Sequence, residues 1–175
     1  CGADPAARVL TGFDLDPDPV LPWTVVTATA RLVRSELQAL GLESWVKTTG
    51  GKGLHVVVPV VRRLEWGAVL DFARGFATSI VAQEPRLFTT SIRKTDRGGK
   101  LFVDYLRNAR GATAVAPYSP RARPGAPVAA PLYWAELETM TRRPGITVGN
   151  LQARLSELAG DPWADLPRIR QAVTK

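Results

Sequence analysis

The 175-residue chain has an ordinary apolar fraction of 45%, enough for one domain with a sizeable core. No apolar run is long enough to span a bilayer, no basic-then-apolar leader opens the chain, and cysteine occurs only at Cys1. Membrane, secreted and disulfide-scaffold classes are therefore disfavoured, and a reducing cytoplasmic setting is expected. Lys and Arg number 23 against 16 Asp and Glu, a formal net charge of +7, which favours anionic partners such as nucleic acid.

In chain order, the run 9–19 opens as a short apolar strand carrying Asp14 and Asp16, and Asp18-Pro19 and Pro22 mark a turn. A helix is predicted over 23–40 from Val26, Ala30, Val33, Leu37 and Leu40 at helical spacing, with Gly41 placed to end it. Residues 44–47 read as a short strand and 48–53 as a glycine-rich loop. The β-branched run 54–61 is a strand whose Pro59 suggests an end near a sheet edge. A second helix is predicted over 65–83, with Val69, Phe72, Phe76 and Ile80 on one face.

Residues 88–93 and 100–106 are expected to pair antiparallel across Arg97-Gly98-Gly99, and 113–116 to add a strand. The proline-rich stretch 117–131 reads as an extended surface arm, 134–140 and 148–158 as short helices, and 160–175 as a loosely held tail. The sum is an α/β (α+β) layer of helices on a mixed sheet. It is taken as a single domain over 1–175, with its motifs within 9–140 and a C-terminal helix and tail over 141–175.

Three aspartates carry the chemistry. Aspartate is depleted in strands, yet Asp14, Asp16 and Asp104 all stand in apolar strand contexts. Alternation puts Asp14 and Asp16 on one face and Leu15 on the other. Two carboxylates on one face repel unless a cation sits between them. A pair of divalent ions, completed by a carboxylate from a neighbouring strand, meets that need and suits in-line attack on a phosphate. Taken alone, the pair is a weak signal that more often marks a capping or turn role.

The loop Thr49-Gly50-Gly51-Lys52-Gly53 offers backbone N–H groups to phosphate oxygens, with Lys52 as a point charge, but lacks Walker A spacing. His55, the only histidine, is either a core residue bonded to a carbonyl or a group near a phosphate. Arg121 on the proline-rich arm suits bidentate phosphate contact. The basic residues crowding around Asp104, namely Arg93, Lys94, Arg97, Lys100, Arg107 and Arg123, are candidate nucleic-acid contacts. Trp66, Trp134 and Trp163 read as core or staple residues.

Four segments, in the same order, resemble the polymerase domain of bacterial ligase D, of the archaeo-eukaryotic primase superfamily. They are Phe-Asp-Leu-Asp-Pro from Phe13, Lys-Thr-Thr-Gly-Gly-Lys-Gly-Leu-His-Val from Lys47, Phe-Val-Asp-Tyr-Leu-Arg-Asn from Phe102, and Ala-Pro-Tyr-Ser-Pro-Arg-Ala-Arg-Pro-Gly-Ala-Pro-Val from Ala116. The resemblance implies a primase-like mixed sheet flanked by helices. It also implies template-directed nucleotidyl transfer in non-homologous end joining, preferring ribonucleotides and filling gaps at 5′-phosphorylated ends.

By the same resemblance, Asp14, Asp16 and Asp104 hold two Mn²⁺ or Mg²⁺ ions. Thr49, Lys52 and Arg121 contact the nucleoside triphosphate, with Gly50 and His55 added from the same motif; Thr49 stands where the family often has serine. Implied partners are DNA ends or gapped DNA, nucleoside triphosphates, Ku and a ligase domain, in a nucleoid-associated setting. Family members carry roughly a hundred residues before the first aspartate pair, a domain-sized portion that helps bind the 5′-phosphate and that the chain is expected to lack.

Two other readings stand beside this one. Without that portion the chain could be an inactive nucleic-acid-binding module. Alternatively, Asp-Leu-Asp-Pro-Asp could open a haloacid-dehalogenase-like phosphatase with Asp14 as nucleophile, although that motif has Thr or Val where Asp18 stands.

Overall fold

A computed structural model describes residues 8–61 and 63–173, without the side chains of 8–11; Cys1 lies outside the described residues. Six strands form one sheet, ordered β4-β5-β1-β3-β2-β6. They are β1 (Arg8–Pro17), β2 (Trp45–Thr48), β3 (Leu54–Val61), β4 (Phe88–Thr89), β5 (Leu101–Asp104) and β6 (Pro131–Leu132). Each neighbouring pair is antiparallel except β4 with β5, which is parallel.

Strand alternation divides the sheet into two unlike faces. Phe13 and Leu15 of β1, Leu54, Val56 and Val58 of β3, Val46 of β2 and Leu101 and Val103 of β5 are all 0–1% exposed. Helices α1 (Trp23–Ala39) and α2 (Trp66–Gln83) cover this face through Val26, Ala30, Val33 and Leu37, and through Ala73, Phe76, Ala77 and Ile80. Phe76 lies 4.8 Å from Phe13 between ring centroids. The first helix ends as the sequence suggests. Gly41 takes φ +72°, its N–H bonds Gln38 O, and the Leu42 N–H bonds Leu37 O, closing the paired-bond motif that a left-handed glycine permits.

Several expectations are overturned. Residues 88–93 and 100–106 do not form an antiparallel hairpin: β4 is two residues long and parallel to β5, with a 3₁₀ turn at Lys94–Arg97 between them. Local polar bonds compete with the ladder there. Ser91 Oγ donates to Asp96 Oδ2 at 2.7 Å, and the Arg97 guanidinium bonds the carbonyls of Ser91 and Ile92. Residues 113–116 form no strand, because they cross the open face, where Ala114 and Val115 lie over Asp14 and His55, instead of running along an edge.

Pro59 sits in an interior strand opposite Leu10, not at the sheet edge; β2 stops pairing at Val57, which leaves that side of Pro59 without a neighbouring strand. The arm is a hairpin instead of an extended segment. Tyr118 and Arg121 N–H groups bond the carbonyls of Ala129 and Pro127, and Val128, Ala129 and Ala130 are buried. Its return leg leads into β6. The tail is held, too. Trp163 Nε1 donates to Val46 O, the Val61 N–H bonds Gln171 O, and Val173 joins the core.

Candidate active site

The open face of the sheet carries one continuous polar row. Across the ladders, Asp104 of β5 pairs with Asp14 of β1, Asp14 with His55 of β3, and His55 with Lys47 of β2. Directly paired residues share a face, so the four side chains stand side by side. Asp16 follows on the same face, opposite Phe102. Beyond the row, where β5 has ended, Asn108 stands in for a strand. Its carboxamide accepts from the Gly12 N–H at 2.8 Å and donates to Gly12 O at 2.9 Å.

Each carboxylate is turned to a cationic or imidazole partner. His55 Nε2 lies 3.3 Å from Asp14 Oδ2, Lys52 Nζ lies 3.3 Å from Asp16 Oδ1, and Arg107 Nε lies 3.8 Å from Asp104 Oδ2. Arg97 is stacked 3.6 Å over Phe102 and reaches within 3.9 Å of Asp16. Burial pushes the Asp104 carboxyl above its ordinary range; the Leu106 N–H bond opposes this and the neighbouring Asp14 charge adds to it. Among the described residues, no three His, Cys, Asp or Glu side chains converge tightly enough to enclose an ion as they stand. Asp18 is a turn residue, accepting from the Val20 N–H.

The glycines of the loop admit protein atoms. A Cβ on Gly53 would clash with Leu15 O, and one on Gly50 would lie 2.6 Å from Arg121 Cγ. Thr49 Oγ1 accepts from the Gly51 and Gly53 N–H groups and ties the loop to itself. Lys52 Nζ donates to Pro17 O at 2.7 Å, which ties the loop to the end of β1. Thr48 fastens the arm to β2: its hydroxyl donates to Val128 O and accepts from the Ala130 N–H. Arg121 Nη1 then reaches Thr49 O at 3.0 Å.

Together these parts line a cavity of about 660 Å³ with Asp14, Asp16, Thr49, Lys52, His55, Arg107, Arg121 and Arg123 on its walls. Gly50 sits behind it against Arg121. Arg93, Lys94 and Lys100 lie outside the cavity; Arg93 and Lys94 are exposed, and Lys100 Nζ bonds Pro85 O.

Comparison with known proteins gives the family. The family model for the LigD primase-polymerase domain matches residues 3–163. The chain belongs to that family. It is 44% identical over 163 residues to the multifunctional non-homologous end joining protein LigD of Pseudomonas aeruginosa, covering 93% of this chain and 19% of that protein. It is 30% identical to the bifunctional LigD of Bacillus subtilis, covering 91% of this chain and 26% of that one. A solved polymerase domain of Mycobacterium tuberculosis ligase D in complex with DNA superposes with a TM-score of 0.85 at 33% identity, over 94% of this chain and 56% of that one. The fold is thus the mixed α/β fold of the LigD polymerase domain, and the phosphatase alternative is set aside.

At this site, sequence reasoning missed Lys47 and Asn108 as parts of the polar face. Lys47 is 2% exposed and its Nζ has no hydrogen-bond partner. Burial drives its pKa down to about 8, opposed by Asp14 and reinforced by Arg121. A charged residue inside the strand Trp45–Thr48 was the available signal. Asn108 had none locally, because its partner Gly12 lies 96 residues away.

Proposed function

We propose that the open face performs template-directed nucleotidyl transfer onto DNA ends or gaps, in the LigD type of end joining. The observation that supports this most directly is the adjacency of Asp104 and Asp14 across β5 and β1, with Asp16 next on the same face, beside a cavity walled by Lys52, Arg107, Arg121 and Arg123. The donor set suits hard divalent ions, since all three ligand candidates are carboxylates. Asp14, Asp16 and Asp104 would hold two Mn²⁺ or Mg²⁺ ions, exchanging their present side-chain partners for them. When bound, such ions neutralise charge on the attacking and leaving oxygens.

The chain's own residues do the positioning. Lys52 and Arg121 orient the triphosphate, with Thr49 and Gly50 holding the loop that carries Lys52 and His55 buttressing Asp14. The primer 3′-hydroxyl oxygen bonds to the α-phosphorus, and the bond from that phosphorus to the β-phosphate oxygen breaks. Pyrophosphate leaves with the electron pair, and the hydroxyl proton passes to solvent. Fixed cations around the developing charge act without reorganising in the transition state. Arg93, Lys94, Arg97 and Lys100 are offered to the nucleic-acid backbone, with Arg107 and Arg123 on the cavity wall. Ribonucleotide preference, association with Ku and a ligase domain, and a cytoplasmic, nucleoid-associated location belong to the same proposal.

Primer extension on gapped, 5′-phosphorylated DNA with Mn²⁺ and ribonucleotides tests it, comparing the chain with Asp104→Asn. Templated addition by the chain and none by the variant is expected; equal addition by both would overturn the assignment.

A further inference from the structure

Behind the glycine loop lies a second polar cavity of about 370 Å³, on the far side of Gly51 from the aspartates. Its walls come from the loop, the arm turn with Arg123 and Pro124, and a strap with Arg143, Pro144 and Thr147. Arg143 Nη1 donates to Gly51 O at 3.3 Å, and a Cβ on Gly51 would lie 3.0 Å from Arg123 Nη1, so the two guanidiniums flank one glycine. Neither is paired with a carboxylate among the described residues, and no Asp or Glu lines the cavity. The indole N–H of Trp23, another wall residue, is buried without an acceptor. Two guanidiniums with no acid nearby make a site for a multiply charged oxyanion.

Gly51 and Arg123 line both cavities, so the two share a wall of loop and arm. The walls Pro124, Pro127 and Pro144 are stiff, and the volume suits a small anion, not a polynucleotide segment. We infer that this cavity is a pyrophosphate subsite, held by Arg123 and Arg143, that takes the leaving group of the transfer reaction. The assignment rests on the nucleotidyl-transfer reading for its role but not for its binding chemistry. In the main cavity the carboxylates of Asp14 and Asp16 offset part of the charge of the basic walls. The second has no carboxylate and binds a polyphosphate without metal.

Calorimetric titration of inorganic pyrophosphate into the metal-stripped chain tests this, with melting curves to confirm that each variant is folded. The chain is expected to bind. Arg143→Ala should weaken binding about tenfold or more, the scale of one charge-assisted pair. Arg143→Lys should restore most of the loss, and Lys52→Ala should leave it unchanged. Absence of metal-free binding, or equal binding by Arg143→Ala, overturns the subsite. Templated addition without metal-free pyrophosphate binding would sink the subsite alone; pyrophosphate binding without templated addition would sink the polymerase reading and the leaving-group role, and leave the anion site standing.

Discussion

The two faces of β1 follow opposite rules although their residues alternate one by one. Phe13 and Leu15 are sealed against α1 and α2, while Asp14 and Asp16 face a cavity with each carboxylate beside a basic partner. One face is held by apolar burial and dispersion. The other is held in place by the first and is free to keep repelling charges close together. Stability and chemistry are thereby separated across one strand's thickness. Lys47 breaks the separation, being a buried charge on the working face.

Changing neighbours on opposite faces of β1 should separate chemistry from stability. Asp16→Asn should cut templated addition on the order of a thousandfold, as loss of transition-state charge stabilisation does, with little change in melting temperature. Leu15→Ala should do the reverse, losing about 3 kcal/mol of stability through the cavity it leaves; urea melts beside activity assays separate the two.

Lys47→Met should raise stability by up to roughly 3 kcal/mol, the scale of its pKa depression, read by urea melts at pH about 7. The sign follows from linkage: the folded state binds this proton less tightly than the unfolded chain. Its penalty is therefore full below pH about 8 and relieved as pH rises towards 10.5. Melts across that window should show the native chain gaining on the variant.

Asp104 moves the opposite way. Its folded carboxyl holds a proton more tightly than the unfolded one, whose ordinary value is 3.8. Metal-free stability from this group is therefore present below 3.8 and lost as pH rises through the raised folded value. Asp104→Asn should flatten that stretch of the acid profile. The smallest effect belongs to the rim: Lys94→Ala should lower the salt slope of DNA binding by about one unit, without changing sequence preference.

Much of this was legible in the sequence because it was local. Period-two alternation placed Asp14 and Asp16 together, helical spacing gave α1 and α2, and Gly41 ended α1 where its left-handed φ permits. What escaped depended on distant partners or on bonds that propensity does not see. The Arg97-Gly98-Gly99 turn signal lost to the Ser91–Asp96 bond and the Arg97 guanidinium, which fold 91–97 on itself. The arm's proline content concealed a hairpin, because its return leg is recruited by Thr48, 80 residues away. Trp163, expected as a core residue, and Gln171 anchor a tail whose few apolar residues suggested looseness. At the site, the three aspartates lay in recognisable motifs, whereas Lys47 counted only once its cross-strand partner His55 was known.

On the proposed function, the carboxylates of the open face would hold divalent ions beside the triphosphate. Electron paramagnetic resonance titration of Mn²⁺ with a nucleoside triphosphate present tests it most directly, comparing the chain with Asp14→Asn. Ions bound to the chain with the nucleotide should be largely lost from the variant, which should melt at the same temperature or higher. Unchanged Mn²⁺ binding by that variant would contradict it.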